Sequence, residues 1–171
     1  FKDFHGVPMF LVNTKKCLGI FEKVYVSSDD EWILNKARDA GAIPILRHRD
    51  LCGDTPDIPV FQHAFKHMVG VDGIVAVHAN NPTIEKNLIA MVKKSIEMGV
   101  PEVMTCHPMK KSADYKKQSN PIYGSIRGMV KDRLENYPDP YYPNPELLLV
   151  DTSLEIEIQE DYDKCLLEKS K

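Results

Sequence analysis

The chain has 171 residues, of which 43% are hydrophobic and 27% are charged, so it is long enough for one domain with a buried core. Its net charge of −3 argues against a basic surface for nucleic acid, and no apolar run is long enough to span a membrane. The four isolated cysteines form no C-x-x-C pair, which argues against a disulfide framework or a zinc site. Composition therefore predicts a single cytoplasmic domain over residues 1–171, with neither nucleic acid nor membrane as a partner.

Helices and short apolar strands alternate in the first half of the chain. Pro8 suits the first turn of a helix that ends near Ile20, and Gly41 ends a second, amphipathic helix. Ser28 and Glu31 have the spacing of a capping box at the start of that second helix. Short β-rich runs flank the second helix at residues 23–27 and 43–46. The order predicted here is helix, strand, helix, strand.

The second half of the chain continues the alternation. A helical stripe covers residues 59–69, and the next helix begins after a Thr83 cap and ends at Gly99. Residues 137–145 contain too much proline for a helix. Further strands and a last helix are predicted at residues 73–77, 103–106, 146–151 and 161–169. Several strands are apolar on both faces, so we predict an α/β fold, a mainly parallel sheet with helices on both faces.

Three polar clusters follow predicted strands, at residues 27–30, 47–55 and 78–83. In open α/β sheets, ligands bind beyond the carboxyl ends of the strands. The clusters are therefore predicted to form the rim of one ligand cleft. For the first cluster two interpretations stay open together, because Ser28 suits a helix cap and the same turn lies on the predicted rim.

Five segments in chain order carry a family resemblance: KDFHGVPMF, VYVSSDDEWILNKARDAGA, LRHRDLCGDT, VHANNP and SLEIEIQEDYD. Together they resemble motifs of the cytidylyltransferases that activate acidic sugars, above all the CMP-N-acetylneuraminic acid (acylneuraminate) synthetases. The resemblance implies a Rossmann-like nucleotide-diphospho-sugar transferase fold. It also implies transfer of CMP from CTP to an acidic, sialic-acid-like sugar, release of pyrophosphate, a Mg²⁺ cofactor and a homodimer.

The resemblance also implies roles for single residues. The residues in register with the nucleotide-binding motifs are Lys2, Ser27, Asp29 and Arg47. Those expected to contact the acceptor sugar are Asp54, His78, Asn81 and His107. Simpler interpretations stay open for several of them: Asp29 as a helix-start carboxylate, Arg47 as half of a surface salt bridge, and Asp54 and Asn81 as turn residues. His63 is interpreted as a packed or hydrogen-bonded core histidine, in preference to a catalytic one.

Glu155 and Glu157 stand where the family has paired aspartates. The resemblance therefore implies that they are catalytic and hold Mg²⁺, with Asp151 as a substitute ligand. If this segment is a strand, alternation places both glutamates on one face, about 7 Å apart. The alternative is a solvent-facing strand edge without any ligand.

The chain also departs from the family pattern. The family's first strand and its glycine- and lysine-containing phosphate loop have no counterpart in residues 1–171. We expect an N-terminal segment of roughly twenty residues to supply them, because a sheet without its central strand exposes two unpaired edges. The alternative is an inactive relative that binds sugar or nucleotide.

Two further departures from the family pattern concern the residues expected to contact the acceptor sugar. His78 replaces a family glutamine, and Ile84 stands near the place of an arginine. These changes leave open a related nucleotidyltransferase that acts on 3-deoxy-octulosonate or methylerythritol phosphate.

Family members place a dimer-forming excursion in the region of residues 108–145. The lysine-rich stretch 110–121 is therefore interpreted either as a solvated loop or as part of a dimer contact.

Overall fold

The computed structural model describes residues 3–108, 123–156 and 158–168. Its helices are α1 Met9–Leu18, α2 Glu31–Asp39, α3 Asp57–Phe65, α4 Lys86–Glu97, α5 Lys131–Glu135 and α6 Gln159–Glu168. Its strands are β1 Asp3–Phe4, β2 Val7–Pro8, β3 Tyr25–Ser28, β4 Ile43–Leu46, β5 Gly73–Val77, β6 Glu102–Cys106, β7 Tyr123–Val130 and β8 Leu147–Val150. Within these ranges, no helix is long and apolar enough to cross a bilayer.

The main strands form two separate groups. β3 and β4 pair in parallel, with Tyr25 opposite Ile43. The other four form a sheet in the order β5-β7-β6-β8, in which β6 and β8 are parallel and β7 is antiparallel to both β5 and β6. β5, β6 and β8 therefore run in one direction and β7 alone runs in the other. The predicted α/β fold with a mainly parallel sheet is confirmed.

Apolar cores lie on both faces of the four-stranded sheet. On one face, Ile89 and Val92 of α4 pack with Cys17 of α1 against the sheet residues Val103 and Ile126. On the other face, buried residues of α3 and α5 pack around Met129 of β7, together with Tyr137. The burial of apolar side chains on both faces is the main force that holds such layers together. A third, smaller core joins α6 to Phe4 and Ile156.

Helix ends agree with the sequence better than helix starts do. Gly41 and Gly99 follow α2 and α4 with φ of +95° and +89°, the left-handed conformation that glycine adopts without strain. The predicted caps are wrong at both helix starts. Ser28 is the last residue of β3, because the chain is still paired with β4 there. α4 begins after Glu85, which makes no side-chain cap hydrogen bond, so Thr83 is not its cap.

Asp30 caps α2 instead of Ser28. Its Oδ1 accepts hydrogen bonds from the backbone N–H groups of Trp32, at 2.8 Å, and Ile33, at 3.0 Å. We predict that Asp30→Ala lowers the free energy of unfolding by about 1 kcal/mol, measured by urea denaturation, because two N–H groups lose their acceptor. The control is Asp29→Ala at the exposed neighbouring carboxylate, with an expected change within about 0.5 kcal/mol. Equal effects of the two substitutions would contradict the assignment.

Several segments differ from the sequence prediction. β7 and α5 were not predicted at all, and α3 ends at Phe65 instead of residue 69. Residues 151–156 are not a strand, because the chain leaves the sheet after Val150. The segment is held there by the turn that follows β5: the Leu154 N–H donates to Thr83 Oγ1 and the Ile156 N–H donates to the Asn80 carbonyl. The predicted loop at 110–121 lies outside the described residues.

Candidate active site

A cleft of about 1200 Å³ separates the β3–β4 pair from β5. Apolar side chains line most of its length, and polar side chains gather where β3, β4 and β5 end. The polar residues at this rim are Ser27, Arg47, Thr55, Asp57, His78 and Asn80. The rim lies where sequence analysis placed the ligand site, at the carboxyl ends of the strands. Clusters 27–30, 47–55 and 78–83 each contribute to it.

Arg47 is fixed in place at this rim. It follows β4 directly, and its backbone N–H donates to the Ser28 carbonyl, which extends the strand pairing by one residue. The guanidinium turns back over the end of β3, with Nε 3.2 Å from Ser27 Oγ and Nη2 2.8 Å from the Ser27 carbonyl oxygen. A guanidinium held on one side by a backbone carbonyl presents its charge in a defined direction. Arg47 is therefore suited to bind a phosphate or carboxylate oxygen.

His78 lies between two carboxylates. It follows β5, and its backbone N–H donates to the Ser125 carbonyl. Its Nε2 is 3.5 Å from Asp57 Oδ2, and its Nδ1 is 4.0 Å from Glu155 Oε1. Asp57 first and Glu155 second raise the pKa of His78 to about 9, and the same contacts lower the pKa of each carboxyl group. The ring is therefore an imidazolium at neutral pH.

These shifts predict a pH dependence. The pKa of His78 is raised above its usual 6.5, so its ion pairs contribute their full stability below about pH 6.5 and lose it as pH rises through about 9. The pKa values of Asp57 and Glu155 are lowered, so their contribution is lost as pH falls through those lowered values. We predict an NMR titration midpoint near pH 9 for the His78 ring.

Substitutions of Asp57 and Glu155 measure separately how far each carboxylate raises the pKa of His78. Asp57→Asn is expected to lower the His78 midpoint more than Glu155→Gln does, because the Asp57 carboxylate is the larger cause of the shift. The other histidines serve as internal references in the same spectra. A midpoint near 6.5 for the unmodified chain, or one that neither substitution moves, would show that the ion pairs do not form in solution.

The two asparagines after His78 have different surroundings. The Asn80 side chain lines the cleft and donates to Glu155 Oε1 at 3.1 Å. Asn81 is 0% exposed, and its Nδ2 donates to the hydroxyl groups of Ser125 and Ser153. The prediction that Asn81 contacts the sugar is not supported by this burial. Asn81 fixes the turn beneath the rim, and Asn80 is the half-buried residue of the pair that lines the cleft.

The predicted metal ligands also differ in their surroundings. The Glu155 side chain is 27% exposed and reaches His78 and Asn80 at the rim. Asp151 is 1% exposed; its Oδ1 accepts from the Ser153 N–H and hydroxyl, while its Oδ2 is buried without a hydrogen-bond partner. Asp151 is not among the residues that line the cleft. Glu157 lies outside the described residues.

Mg²⁺ is the cation that the family resemblance implies for this rim. Among residues 3–108, 123–156 and 158–168, no three His, Cys, Asp or Glu side chains lie close enough to form an all-protein metal site. Mg²⁺ does not need such a site, because it is commonly held by one or two carboxylates together with water and substrate phosphates. Glu155, whose side chain is 27% exposed at the rim, is a carboxylate of that kind, whereas Asp57 lies on the opposite side of the His78 ring.

The remaining predicted residues are dispersed. Asp29 and Asp54 are exposed and do not line the cleft. His107 follows β6, and its Nδ1 is 3.3 Å from the Asp151 carbonyl oxygen. Lys2 lies outside the described residues. His63 does not line the cleft, and its Nδ1 is buried without a hydrogen-bond partner, in agreement with a packed histidine.

Asp57 is the rim residue that sequence analysis missed. It is the first residue of α3, a position where a carboxylate is common for reasons of helix stability alone. A signal was nevertheless present, because Asp57 follows the polar cluster 47–55 by two residues.

No protein-family model matches the chain, and no curated protein matches it in sequence. Solved structures do share its fold. CMP:2-keto-3-deoxy-manno-octonic acid synthetase in complex with CTP matches 99% of this chain and 90% of its own, with a TM-score of 0.74 and 12% identity. The 4-diphosphocytidyl-2C-methyl-D-erythritol synthase of Anaerococcus prevotii matches 99% and 92%, with a TM-score of 0.75 and 11% identity. Rv0371c of Mycobacterium tuberculosis in complex with manganese matches 96% and 89%, with a TM-score of 0.65 and 9% identity.

Proposed function

We propose that the protein is a cytidylyltransferase, which transfers CMP from CTP to an acidic sugar and releases pyrophosphate. The observation that supports this most is the rim itself. Arg47, His78 and Glu155 gather at the carboxyl ends of the strands, in a fold that the CTP-bound octonic acid synthetase shares. A rim with two cations and two carboxylates has groups for anionic phosphates and for a divalent cation.

In the proposed reaction, a hydroxyl oxygen of the sugar attacks the α-phosphorus of CTP in line. A new P–O bond forms as the bond to the leaving pyrophosphate breaks, and the hydroxyl proton leaves to solvent. Arg47 and the imidazolium of His78 stabilise negative charge on the reacting anions. Mg²⁺, when bound, neutralises phosphate charge, and Glu155 with Glu157 are its proposed ligands. No covalent nucleophile is needed, since positioning and electrostatics are sufficient for phosphoryl transfer.

The other predicted roles are proposals with the same basis. Ser27 and Arg47 bind the nucleotide from the β3–β4 side, and Lys2 and Asp29 assist them. His78 binds the acceptor from the β5 side, and Asp54 and His107 assist it from outside the cleft lining. We further propose a cytoplasmic homodimer in which residues 108–145 contribute to the dimer contact.

The acceptor is proposed to be a sialic-acid-like nonulosonate. The likeness to the octonic acid and methylerythritol synthases favours their acceptors as second candidates, namely 3-deoxy-octulosonate and methylerythritol phosphate. His78 in place of the family glutamine is the residue at which these acceptors would be distinguished. A catalytically inactive sugar- or nucleotide-binding relative is the remaining alternative.

Pyrophosphate release tests this proposal. CTP, UTP and ATP are each offered with N-acetylneuraminate, 3-deoxy-octulosonate and methylerythritol phosphate in the presence of Mg²⁺. We expect release with CTP and one of the acidic sugars, and background release with UTP and ATP. Release with a different nucleotide would contradict the cytidylyl assignment, and tight CTP binding without release in any mixture would support the inactive relative.

A further inference from the structure

Asn81 uses its whole side chain to join separate parts of the fold. It is 0% exposed and is not among the residues that line the cleft. Its Nδ2 donates to the hydroxyl oxygen of Ser125 at 3.0 Å and to that of Ser153 at 2.7 Å. Its Oδ1 accepts from the Thr83 hydroxyl at 3.1 Å. Both N–H bonds of the carboxamide therefore have acceptors, one in β7 and one in the segment 153–156, which we call the rim segment.

The rim segment carries Glu155 to the cleft, although it belongs to neither a helix nor a strand. Its Leu154 N–H donates to Thr83 Oγ1 at 2.8 Å, and the Thr83 hydroxyl donates in turn to Asn81 Oδ1. Asn81 therefore reaches the rim segment twice, once directly and once through Thr83. Because this segment lacks strand pairing, hydrogen bonds of this kind determine where its side chains lie.

The turn that carries Asn81 is itself fixed to α1. The Asn13 side chain donates to the carbonyl oxygens of His78, at 2.9 Å, and of Asn81, at 2.7 Å. The Lys16 ammonium donates to the Pro82 carbonyl oxygen at 2.6 Å. These bonds go to backbone atoms and do not involve the Asn81 side chain. Loss of the contact between Asn81 and the rim segment is therefore expected to displace the segment while the turn stays in place.

We propose that Asn81 is a positioning residue, which sets the place of Glu155 relative to His78 through the Ser153 hydroxyl. The inference rests on the proposed function, in which Glu155 binds the cation and His78 binds the acceptor. These two side chains come from different segments, and His78 Nδ1 lies 4.0 Å from Glu155 Oε1. A displacement of about 1 Å between reacting groups can lower a rate roughly a hundredfold. Asn81 touches neither ligand in this role and acts through the rim segment alone.

Apolar packing keeps the rim segment attached when this hydrogen bond is lost. Leu154 and Ile156 belong to the small core that also contains Phe4 of β1 and Cys165 of α6. These contacts do not depend on any hydrogen bond of Asn81. The expected result of a substitution is therefore a displaced Glu155 in a protein that remains folded.

Ser153→Ala tests the link, and Ser125→Ala is the matched control. Each substitution removes one hydroxyl that accepts a hydrogen bond from Asn81, so the two are expected to lower the thermal unfolding temperature by similar amounts. Only Ser153 belongs to the rim segment, because Ser125 lies in β7. Ser153→Thr keeps the hydroxyl and serves as the rescue variant. Asn81→Ala removes every contact of the side chain at once, and the serine variants keep the test decisive if that protein does not fold.

The titration of the His78 ring, followed by NMR without any nucleotide, is sensitive to the position of Glu155, because Asp57 first and Glu155 second raise the pKa of this ring. Asp57 lies on the other side of the ring and is left in place by these substitutions. We expect Ser153→Ala to lower the midpoint by about as much as Glu155→Gln does, and Ser125→Ala and Ser153→Thr to leave it unchanged. In turnover with CTP, kcat is expected to fall at least about tenfold with Ser153→Ala, while the KM for CTP stays within about threefold.

Equal shifts of the midpoint with Ser125→Ala and Ser153→Ala, or no shift with either, would overturn the inference, because Asn81 would then support the fold alone. Failure of Ser153→Thr to restore the midpoint would also contradict it. A shift with Ser153→Ala that folded Asn81→Ala does not reproduce would assign the effect to Asp151, which accepts from the same hydroxyl. Because the titration needs no nucleotide, absence of turnover in the unmodified protein would contradict the proposed function and leave this test of Asn81 standing.

Discussion

Replacing Glu102 with glutamine is expected to lower the free energy of unfolding by about 3–5 kcal/mol, a large effect for one substitution. Glu102 begins β6 and is 0% exposed. Its Oε1 accepts from Nε and Nη2 of Arg127, at 2.9 and 2.6 Å, and its Oε2 accepts from Arg133 Nε at 2.9 Å. Without the carboxylate, the buried charge of Arg127 loses the anion that it is hydrogen-bonded to.

Urea denaturation measures this loss, and Glu97→Gln is the matched control. Glu97 pairs with Lys93 one turn away on the exposed side of α4, where an ion pair contributes only about 0.3–0.5 kcal/mol. A loss below 1 kcal/mol for Glu102→Gln would show that water or a neighbouring group compensates the arginines.

The hydrogen-bond network of Glu102 with Arg127 and Arg133 also stabilises the helices that pack next to the site. Arg127 and Arg133 both lie against the Tyr137 ring, at 4.9 and 4.8 Å from its centroid, which fixes the chain that follows α5. The Leu134 carbonyl of α5 in turn accepts a hydrogen bond from Gln62 of α3 at 2.9 Å. α3 carries Asp57 at its start, so loss of the network is expected to disturb the Asp57–His78 pair as well.

Glu155→Gln is expected to reduce Mg²⁺-dependent turnover at least about a hundredfold, because several kcal/mol of charge stabilisation depend on a metal-binding carboxylate. The carboxamide keeps the shape of the side chain and an acceptor for Asn80, so the fold is expected to remain intact. The same substitution at Glu157 is predicted to have the same effect, from the acid-x-acid pattern.

Glu160→Gln is the control for this second prediction. It is the same chemical change on the exposed face of α6, where Glu160 pairs with Lys164, and turnover should stay within about twofold. Stabilisation by CTP with Mg²⁺, followed by thermal unfolding, gives a readout independent of turnover. Unchanged turnover and unchanged stabilisation in Glu155→Gln would remove Glu155 from the metal site.

The sequence predicted the parts of the fold that local chemistry determines. The apolar runs at β4 and β5 and the glycines after α2 and α4 were enough to place those elements. β7 was missed because its sequence, YGSIRGMV, contains two glycines, which weaken a strand, and no run of alternating apolar residues. Those glycines are required by packing: a Cβ on Gly124 would lie 2.6 Å from Thr105 Oγ1, and one on Gly128 would lie 2.7 Å from a Val92 methyl.

In the site, too, local sequence predicted some features and tertiary packing determined the others. The positions of Arg47 and His78 followed from strand ends, which a sequence reveals. The pairing of His78 with Asp57 did not, because 21 residues separate them and only the layering of α3 on the sheet brings them together. Likewise, Asn80 and Asn81 are indistinguishable in the sequence, and the hydroxyl groups that hold Asn81 inward come from Ser125 and Ser153, which are distant in sequence.

The crystal structure of the protein with CTP and Mg²⁺ tests the central claim most directly. We predict that the phosphates lie at the rim, with Arg47 within hydrogen-bond distance of a phosphate oxygen and His78 and Glu155 facing the α-phosphorus. A nucleotide bound elsewhere on the molecule, with the rim between Ser27 and His78 free of phosphate, would contradict the account.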